Sequence, residues 1–416
     1  MKVSKYNVYI NSIDCLKIIN TKEGSVVKIT DTQLKDKIQQ IQSGCDVIED
    51  ENIMALNRLG MIVDDDKEEL CNDSLSQTLL VTLFVTKQCN FRCVYCYEKF
   101  TDECLNKEQY KTILSFISSK LSDFKYKKIR VNLFGGEPML EYDNIIYFLE
   151  ELNSLLKTRQ DVSLSVGMTT NGYLLDIERY KTMVNLGLDD VQITVDGFSE
   201  NHNKKRVLMN NKSGTWNKIM ENLELIANYE NHSKIILRTN FDGDTLEKEK
   251  DFLLYCKKRF NDQFIMHFEA IKKFNKNYTG ECMSSKKENE SVVDIIKFCK
   301  ENEIDNIYKY ILSRGFYACH QCSQNSYVFD TKLNVLKCTV LLDYNKTYVG
   351  KLNLKGVFES NDNLLLWDKK VKQCQNCNLY PLCLGRRCKG NMIKKQIDCC
   401  YNDLIDDFTA IINALY

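Results

Sequence analysis

Cysteine is the residue type that most constrains what this chain can fold into, because its 416 residues include 19 of them. The cysteines fall largely into two groups, one near position 90 and one towards the C-terminus. Disulfide scaffolds belong to small secreted domains that cannot build a sufficient core, whereas a chain of this length can form two or three domains. The clustered cysteines therefore indicate metal ligation, and their spacing has to distinguish the metal.

Composition and charge exclude several classes of partner. Lys+Arg and Asp+Glu both number 57, so no net field attracts nucleic acid or an anionic membrane. The N-terminal sequence lacks a basic region followed by an apolar run, and no stretch of about eighteen apolar residues occurs. We therefore expect a cytoplasmic protein with no nucleic-acid and no membrane partner.

From Leu79 onwards, short β-rich runs alternate with amphipathic helical stretches. The first pair is a strand over Leu80–Thr86 and a helix over Lys107–Leu121, and the last strand covers Phe264–Ala270. Such alternation indicates parallel βα units, and six units in roughly 190 residues suit an incomplete barrel better than an eight-fold one. The sequence predicts an α/β fold built on a partial (β/α)6 TIM-like barrel.

The regions on either side of this barrel differ from it in character. The N-terminal region reads as a small α+β domain. The C-terminal region is rich in cysteine and contains one clear hairpin, Ser326–Thr331 and Val335–Cys338. We predict three domains, over residues 1–78, 79–284 and 285–416.

Three cysteines directly follow the first predicted strand. Cys89, Cys93 and Cys96 form a Cys-x3-Cys-x2-Cys run. A closed zinc site has four ligands, whereas a [4Fe–4S] cluster held by three thiolates leaves one iron free to bind another molecule. The carboxyl ends of barrel strands are also where such folds carry out chemistry. Spacing alone leaves a zinc loop open but favours an iron–sulfur cluster.

This run, its position and its aromatic Tyr95 resemble the signature of the radical S-adenosylmethionine (SAM) superfamily. The resemblance implies that SAM chelates the free iron through its amino and carboxylate groups. Cleavage of SAM then gives a 5′-deoxyadenosyl radical that abstracts a hydrogen from the substrate. The resemblance also implies that Tyr95 packs near the adenine. The cofactors supply this chemistry, while the protein binds, orients and excludes water.

Motifs at the ends of later strands strengthen the resemblance. Gly135-Gly136-Glu137-Pro138 follows the second strand, and in the family this motif bonds the SAM amino group. Paired glycines let the backbone come close to a ligand, and the proline fixes the turn. Relatives bring later strand ends to the SAM ribose and carboxylate, or to the substrate. The matching residues here are Thr170, Asn171, Thr194, Asp196 and Arg238.

The C-terminal cysteines have the spacing of ligands for two further centres. They are Cys319, Cys322, Cys338, Cys374, Cys377, Cys383, Cys388, Cys399 and Cys400. These suffice for two four-thiolate clusters, but Cys-x2-Cys pairs also occur in structural zinc sites. Spacing alone leaves both metals open.

The segments SYVFDTKLNVLKC and CQNCNLYPLCLGRRC resemble the SPASM domain, an auxiliary-cluster module that follows radical SAM barrels. The resemblance implies three [4Fe–4S] clusters in all, two of them auxiliary. One auxiliary cluster would use Cys319, Cys322, Cys338 and Cys388; the other would use Cys374, Cys377, Cys383 and either Cys399 or Cys400. Cys322 would be spare if the first of these keeps an open iron. The chain departs from the family at Leu333, where relatives have glycine, and in the four-residue interval before Cys388, where three is commoner.

The SPASM module is characteristic of enzymes that modify peptides and proteins. The stretches around Cys96-Tyr97-Glu98 and QITVDGFSENHNKKR look like maturases of ribosomally synthesised peptides (RiPPs). We therefore expect a radical SAM/SPASM oxidoreductase that forms a thioether or carbon–carbon crosslink in a precursor peptide, with a flavodoxin or ferredoxin as electron donor. Residues 1–78 could be a winged-helix-like leader-recognition domain, in which a peptide adds as a strand to a sheet edge, or a plain structural cap.

Two other functions stay open. An anaerobic sulfatase maturase, which oxidises a Cys or Ser of a sulfatase to formylglycine, belongs to the same family. A non-catalytic zinc-binding protein would explain the cysteine pairs, but it explains the three-cysteine run beside GGEP poorly. Asp196, Glu98 and Arg206 are candidates for substrate contact, and fold analogy identifies no catalytic acid or base.

Overall fold

The computed structural model describes residues 1–64, 76–230, 233–260, 263–272, 280, 282–368, 372–397 and 399–416. The chain forms two compact units, each assembled from separate stretches of sequence. The first unit comprises Met1–Ser74, Tyr308–Ser323 and Trp367–Asn413; the second comprises Leu75–Ile307, Gln324–Leu366 and Ala414–Tyr416. The three domain ranges expected from the sequence stay a prediction.

The first unit contains two small antiparallel sheets. Its strands are β1 (Lys2–Val3), β2 (Asn7–Asn11), β3 (Leu16–Asn20), β4 (Ser25–Ile29) and β5 (Ile62–Val63). β1 pairs with β5, and β2, β3 and β4 form a meander in that order. In the described part of the chain, β4 pairs with β3 alone and is therefore an edge strand.

Two helices follow the meander and pack against it. α1 (Thr32–Gln42) begins after Asp31, and α2 (Glu51–Arg58) begins after Asp50. Each of these aspartate side chains accepts a hydrogen bond from a backbone N–H of the first turn, which caps the helix. The apolar sides of both helices and of the sheet meet in one core, which includes Ile18, Ile29, Ile38, Ile53 and Leu56.

The second unit is built around one large sheet. Its strands are β6 (Thr78–Thr86), β7 (Lys128–Gly135), β8 (Ser163–Thr170), β9 (Leu188–Thr194), β10 (Lys234–Phe241), β11 (Phe264–Ala270), β12 (Ser326–Phe329), β13 (Asn334–Leu336), β14 (Tyr348–Leu352) and β15 (Phe358–Ser360). The other α-helices among the described residues of both units are α3 (Lys107–Leu121), α4 (Tyr142–Leu156), α5 (Ile177–Asn185), α6 (Ser199–Lys205), α7 (Trp216–Ala227), α8 (Leu246–Phe260), α9 (Ser285–Glu301), α10 (Asn363–Asp368), α11 (Tyr380–Cys383), α12 (Lys389–Lys395) and α13 (Tyr401–Leu415).

β6 to β11 are parallel and neighbour each other in sequence order, with helices in the connections. All residues of β6 are buried, as expected for a parallel strand that is covered on both faces. This arrangement confirms the predicted α/β fold with its partial (β/α)6 TIM-like barrel. Of the helices described, none combines the length and the apolar character that crossing a bilayer requires.

The predicted C-terminal hairpin is confirmed as β12 and β13, which pair antiparallel. β12 also lies parallel beside β6, with Ser326 opposite Leu80, so the hairpin together with β14 and β15 extends the barrel sheet to ten strands. Val328 on β12 packs with Phe84 of β6 in a buried cluster. The turn holds Leu333 at φ +61°, a left-handed backbone conformation that favours glycine.

Candidate active site

The carboxyl ends of the barrel strands surround one cavity of about 240 Å³. Cys89, Cys93 and Cys96 line it from the loop after β6. Most of the predicted SAM-binding residues line it as well, namely Tyr95, Gly135, Gly136, Thr170, Asn171, Thr194 and Arg238. Glu137, Pro138 and Asp196 are buried and do not line the cavity. The structure thus brings the three cysteines and these strand-end residues to one place.

The paired glycines are required by a close backbone contact inside the protein. Gly136 N–H donates to the Thr86 carbonyl at 3.0 Å, and Glu137 N–H donates to the Gln88 carbonyl at 2.8 Å. If Gly135 carried a Cβ atom, that atom would lie 2.3 Å from the backbone oxygen of Thr86. A Cβ atom on Gly136 would lie 2.1 Å from the backbone oxygen of Gln88. Any larger residue would therefore push the loop after β7 away from the start of the cysteine loop.

Glu137 connects this loop to the end of β8. It is fully buried, and its carboxylate accepts hydrogen bonds from Thr170 Oγ1 and Asn171 N–H at 2.6 Å each and from Met139 N–H at 3.0 Å. Burial raises the pKa of Glu137, and these hydrogen bonds oppose that rise. Glu137 therefore positions two cavity-lining residues and does not face the cavity itself.

Tyr95 lies at the centre of a hydrogen-bond network beside the cysteines. Its hydroxyl donates to Asp196 Oδ2 at 2.5 Å and accepts from Arg206 Nη1 at 2.8 Å and from Asn240 Nδ2 at 3.1 Å. The Asn240 amide also donates to Asp196 Oδ1 at 3.0 Å. The ring of Tyr95 is thus held at the cavity wall by the ends of β9 and β10.

A buried histidine supports this network from behind. Asp196 N–H donates to His202 Nδ1 at 3.1 Å, so the proton of the neutral ring is on Nε2. That Nε2–H donates to Thr215 Oγ1 at 2.9 Å, and the Thr215 hydroxyl donates in turn to the Arg206 carbonyl at 2.9 Å. Burial lowers the pKa of His202 to about 3, and the Arg206 charge adds to this effect.

The cysteine loop is held by backbone hydrogen bonds to the last residue of α6 and to the segment that follows it. Arg92 N–H donates to the Val207 carbonyl at 2.9 Å, and Val94 N–H donates to the Lys205 carbonyl at 3.0 Å. Burial raises the pKa of Cys89 to about 12 and of Cys96 to about 11, and neighbouring thiols add to the rise. Three thiolates are therefore costly here unless they bind a cation.

Glu98 is a carboxylate of the cavity wall with an unsatisfied oxygen. Its Oε1 is buried and accepts no hydrogen bond from any described residue. Burial raises the pKa of Glu98 to about 7. The aromatic residues Tyr97, Phe100 and Phe134 line the same cavity. Glu98 therefore brings an unpaired hydrogen-bond acceptor to a residue of the cavity wall.

Several cavity residues were not predicted from the sequence. Glu269 and Lys272 line the cavity and belong to no motif, while Gln192 and Phe134 line it from motif segments in which neither was given a role. Gln192 precedes Thr194 by two residues on β9, so the period-two alternation of a strand could have identified it. Glu269 and Lys272 lie at the end of β11, where no turn signature marks them.

A second cavity lies in the first unit and is lined by cysteines. These are Cys374, Cys377, Cys383, Cys399 and Cys400. Burial raises the pKa of Cys374 and Cys400 to about 11, and the nearby thiols contribute to the rise. The structure thus brings together all five candidate ligands of the second auxiliary cluster.

The candidate ligands of the first auxiliary cluster are divided between the units. Cys319, Cys322 and Cys388 belong to the first unit and Cys338 to the second. A hydrogen bond from Cys322 lowers the pKa of Cys319 to about 7, and the same hydrogen bond and burial raise the pKa of Cys322. The Cys338 sulfur accepts two backbone N–H groups of its own turn, at 3.4 and 3.3 Å. A shared cluster stays a prediction.

The chemistry of the donor sets fits iron–sulfur clusters. Thiolates are the usual ligands of such clusters, and both cavities gather thiols that the cationic core of a cluster would stabilise as thiolates. Among the described residues, no three Cys, His, Asp or Glu side chains are grouped closely enough to hold a single metal ion. The assignment therefore rests on the donor types and on the cavities that they share.

Comparison of the sequence with protein-family models gives a match within the barrel. The profile of the Radical SAM superfamily matches residues 83–256. The cysteine-type anaerobic sulfatase-maturating enzyme of Clostridium novyi (strain NT) is 24% identical over 328 residues, which is 72% of this chain and 84% of the relative. The GTP 3′,8-cyclase of Staphylococcus epidermidis is 33% identical over 141 residues, but the match covers only 32% of this chain and 39% of the cyclase.

Two groups of solved structures share the fold. Native anSMEcpe with bound AdoMet and Cp18Cys peptide has a TM-score of 0.61 at 19% identity and covers 81% of this chain and 96% of its own. Streptococcus suis SuiB bound to precursor peptide SuiA has a TM-score of 0.52 at 14% identity and covers 95% of this chain and 97% of its own. These likenesses extend the fold agreement beyond the barrel.

Proposed function

Because residues 83–256 of this chain are a radical SAM domain, we propose that the protein is a radical SAM/SPASM oxidoreductase that matures a ribosomally synthesised precursor peptide. It is a maturase-type radical SAM enzyme, and such domains use SAM and a [4Fe–4S] cluster. The proposed reaction removes two hydrogens from the peptide and forms a thioether or carbon–carbon crosslink, with SAM, cleaved to methionine and 5′-deoxyadenosine, as the two-electron oxidant. A flavodoxin or ferredoxin would supply the electron that starts SAM cleavage, and closure of the crosslink would return one electron and release a proton.

In this proposal, Cys89, Cys93 and Cys96 hold the cluster. The loop Gly135–Pro138 and the ends of β8 to β10 hold SAM. Bound together, these cofactors supply a 5′-deoxyadenosyl radical. The chain's own residues orient them and exclude water, since Glu137 fixes the ends of two strands and Tyr95 is tied to Asp196. Two auxiliary clusters on the C-terminal cysteines bring the total to three.

The proposal of a peptide maturase is supported by the share of this chain that aligns with the solved structure of a relative. SuiB, a protein solved with its precursor peptide SuiA, covers 95% of this chain, whereas anSMEcpe covers 81%. The first unit also offers an edge strand, β4, at which an extended leader peptide could add as a further strand. The proposed leader-recognition role of residues 1–78 rests on that edge.

The cavity itself has room and chemistry for a peptide side chain. Its wall near the cysteines combines the aromatic rings of Tyr97, Phe100 and Phe134 with the unpaired carboxylate oxygen of Glu98. Aromatic walls bind an apolar side chain, and a buried acceptor fixes its orientation by hydrogen bonding. Glu98 is therefore proposed as a substrate contact, and so is Arg206, which also lines the cavity.

A sulfatase-maturing function is the second candidate. The sequence relative from Clostridium novyi is an anaerobic sulfatase-maturating enzyme and aligns with 72% of this chain. The anSMEcpe structure also has the higher TM-score, 0.61 against 0.52. Oxidation of a substrate Cys or Ser to formylglycine uses the same cofactors and the same cavity residues.

One experiment separates the two candidates. The anaerobically reconstituted protein is incubated with SAM, dithionite and either a short peptide encoded beside its gene or a cysteine-containing sulfatase peptide. Loss of two hydrogens from the first peptide, located by tandem mass spectrometry, supports the crosslinking proposal. Conversion of the second peptide to an aldehyde, with no change in the first, would instead establish a sulfatase maturase.

A further inference from the structure

A cationic side chain lines the five-cysteine cavity of the first unit. Arg387 ends the four-residue interval between the last two cysteines of CQNCNLYPLCLGRRC, which is longer than the commoner spacing. In this interval Leu384 and Gly385 have left-handed backbones, with φ +51° and +64°. A Cβ atom at Gly385 would lie 3.2 Å from Cys374 Sγ. The interval therefore winds tightly beside the cysteines and ends with Arg387 in the cavity wall.

Two contacts fix the Arg387 guanidinium and leave one donor unused. Nη2 donates to Asp407 Oδ2 at 2.6 Å, and the guanidinium carbon lies 5.6 Å from the centre of the Tyr317 ring. Nη1 is buried and has no hydrogen-bond partner among the described residues. Leaving a donor of a charged group unsatisfied is costly, so a ligand of this cavity that accepts hydrogen bonds and carries negative charge would be favoured.

A four-thiolate iron–sulfur cluster has this character. Its sulfurs accept hydrogen bonds, its ligands are anionic, and its potential depends on nearby charge, hydrogen bonds and solvent exposure. One-electron reduction adds a negative charge to the cluster, and a nearby cation stabilises that charge more strongly in a partly buried site.

We propose that Arg387 is a positioning residue that raises the midpoint potential of the auxiliary cluster held by Cys374, Cys377, Cys383 and Cys399 or Cys400. Its charge and its unused N–H favour the reduced cluster, while Asp407 and Tyr317 keep the guanidinium at the cavity. The inference rests on the proposed iron–sulfur assignment of this cavity and does not depend on the substrate.

The test is a redox titration of the full-length protein in a Cys89/Cys93/Cys96→Ala background, which leaves only the auxiliary clusters. Each variant is reconstituted anaerobically, checked for about eight irons per chain, and reduced with dithionite while electron paramagnetic resonance follows the reduced clusters. The variants are Arg387→Gln, Arg387→Lys and, as a control, Lys394→Gln, which removes a charge from an exposed side chain nearby in sequence.

The proposal predicts that Arg387→Gln makes one midpoint potential more negative. At a fixed potential the ratio of reduced to oxidised cluster falls at least tenfold, about 59 mV for one electron. Arg387→Lys keeps most of the charge and shifts the potential less, and the control leaves it unchanged. If Arg387→Gln contains the full amount of iron and has the same midpoint potentials as the parent protein, the proposal is overturned.

If Arg387→Gln does not retain iron, the midpoint potentials of Asp407→Asn and Arg387→Lys test the proposal instead. Removing the Asp407 charge leaves Arg387 without its counter-ion, so the proposal predicts a more positive potential for Asp407→Asn. Parent-like potentials in both of these variants would contradict the role of Arg387. Failure to find a peptide substrate would leave this result unaffected, so the two proposals fail independently.

Discussion

Gly136 lies where the loop after β7 touches the start of the cysteine loop. A Cβ atom would meet the Gln88 oxygen at 2.1 Å, so Gly136→Ala has to displace one loop from the other. Because Gln88 directly precedes Cys89, we expect the reconstituted variant to lose up to about four irons per chain and to bind SAM more weakly. Iron analysis and equilibrium dialysis with SAM measure both effects.

Gly44→Ala is the matched control for this substitution. Gly44 has a left-handed backbone, φ +77°, but no atom lies within 4 Å of a Cβ placed there. The control therefore costs only the backbone strain of about 1–2 kcal/mol. Equal iron contents in Gly136→Ala and the control would show that the contact with Gln88 does not position the cluster ligands.

His202 makes stability depend on pH in a definite direction. Its folded pKa is lowered to about 3 from an ordinary value of 6.5, so the unfolded chain binds the proton first as the pH falls. The contribution of His202 to stability is therefore complete above pH 6.5 and is lost on acidification towards pH 3. The expected slope is about 1.4 kcal/mol per pH unit.

A comparison of the protein with His202→Gln between pH 7 and pH 5, by urea unfolding, isolates this group. The variant should be less stable near neutral pH, because it disturbs the hydrogen bonds to Asp196 and Thr215. Its stability should also fall less steeply with acid than that of the unaltered protein. Parallel pH profiles would mean that His202 does not remain neutral in the fold.

At the level of single residues, the sequence motifs predicted which residues lie at the cavity better than they predicted what each side chain does there. Glu137 and Asp196 belong to motifs that predicted SAM binding, and the structure places both as buried hydrogen-bond partners of cavity residues. The distinction depends on which way a side chain points after the loop folds, and no local pattern encodes it. The predicted roles in SAM binding stay predictions for the residues that line the cavity.

At the level of elements, β12 joins the barrel sheet beside β6. Val328 is completely buried and packs with Phe84 on the strand that leads to the cysteine loop. Val328→Ala should lower the free energy of unfolding by about 2 kcal/mol, through lost contacts and a small cavity. Val357→Ala, at a side chain that is 55% exposed, is the control and should have little effect.

Urea unfolding of the metal-free protein measures both variants. Equal midpoints for Val328→Ala and Val357→Ala would indicate that the hairpin does not contribute to the stability of the barrel sheet. A lower midpoint for Val328→Ala alone supports the observed pairing of β12 with β6.

The barrel strands and the C-terminal hairpin strands differ in how much of their arrangement the sequence could predict. β6 to β11 alternate with amphipathic helices at short intervals, so local periodicity was enough to predict six parallel units. The hairpin strands were also predictable, because turn residues separate two apolar runs. The pairing of β12 with β6 joins segments nearly 250 residues apart (Ser326 with Leu80), and local patterns carry no signal for such a contact.

At the level of the whole molecule, cysteines gather at two cavities, one in each compact unit. The barrel cavity combines three thiols with strand-end residues, and these three cysteines lie within the residues that match the Radical SAM family model. The cavity of the first unit has five thiols and an arginine. We propose that this distribution of cysteines belongs to an enzyme with several clusters rather than to a structural zinc protein.

The most direct test of this account measures iron, sulfide, zinc and 5′-deoxyadenosine together. The protein and its Cys89/Cys93/Cys96→Ala variant are purified and reconstituted under strict anaerobiosis, then incubated with SAM and dithionite. The account predicts about twelve irons per chain and formation of 5′-deoxyadenosine, falling to about eight irons and no nucleoside in the variant. Zinc without sulfide-bound iron, or undiminished 5′-deoxyadenosine in the variant, would contradict it.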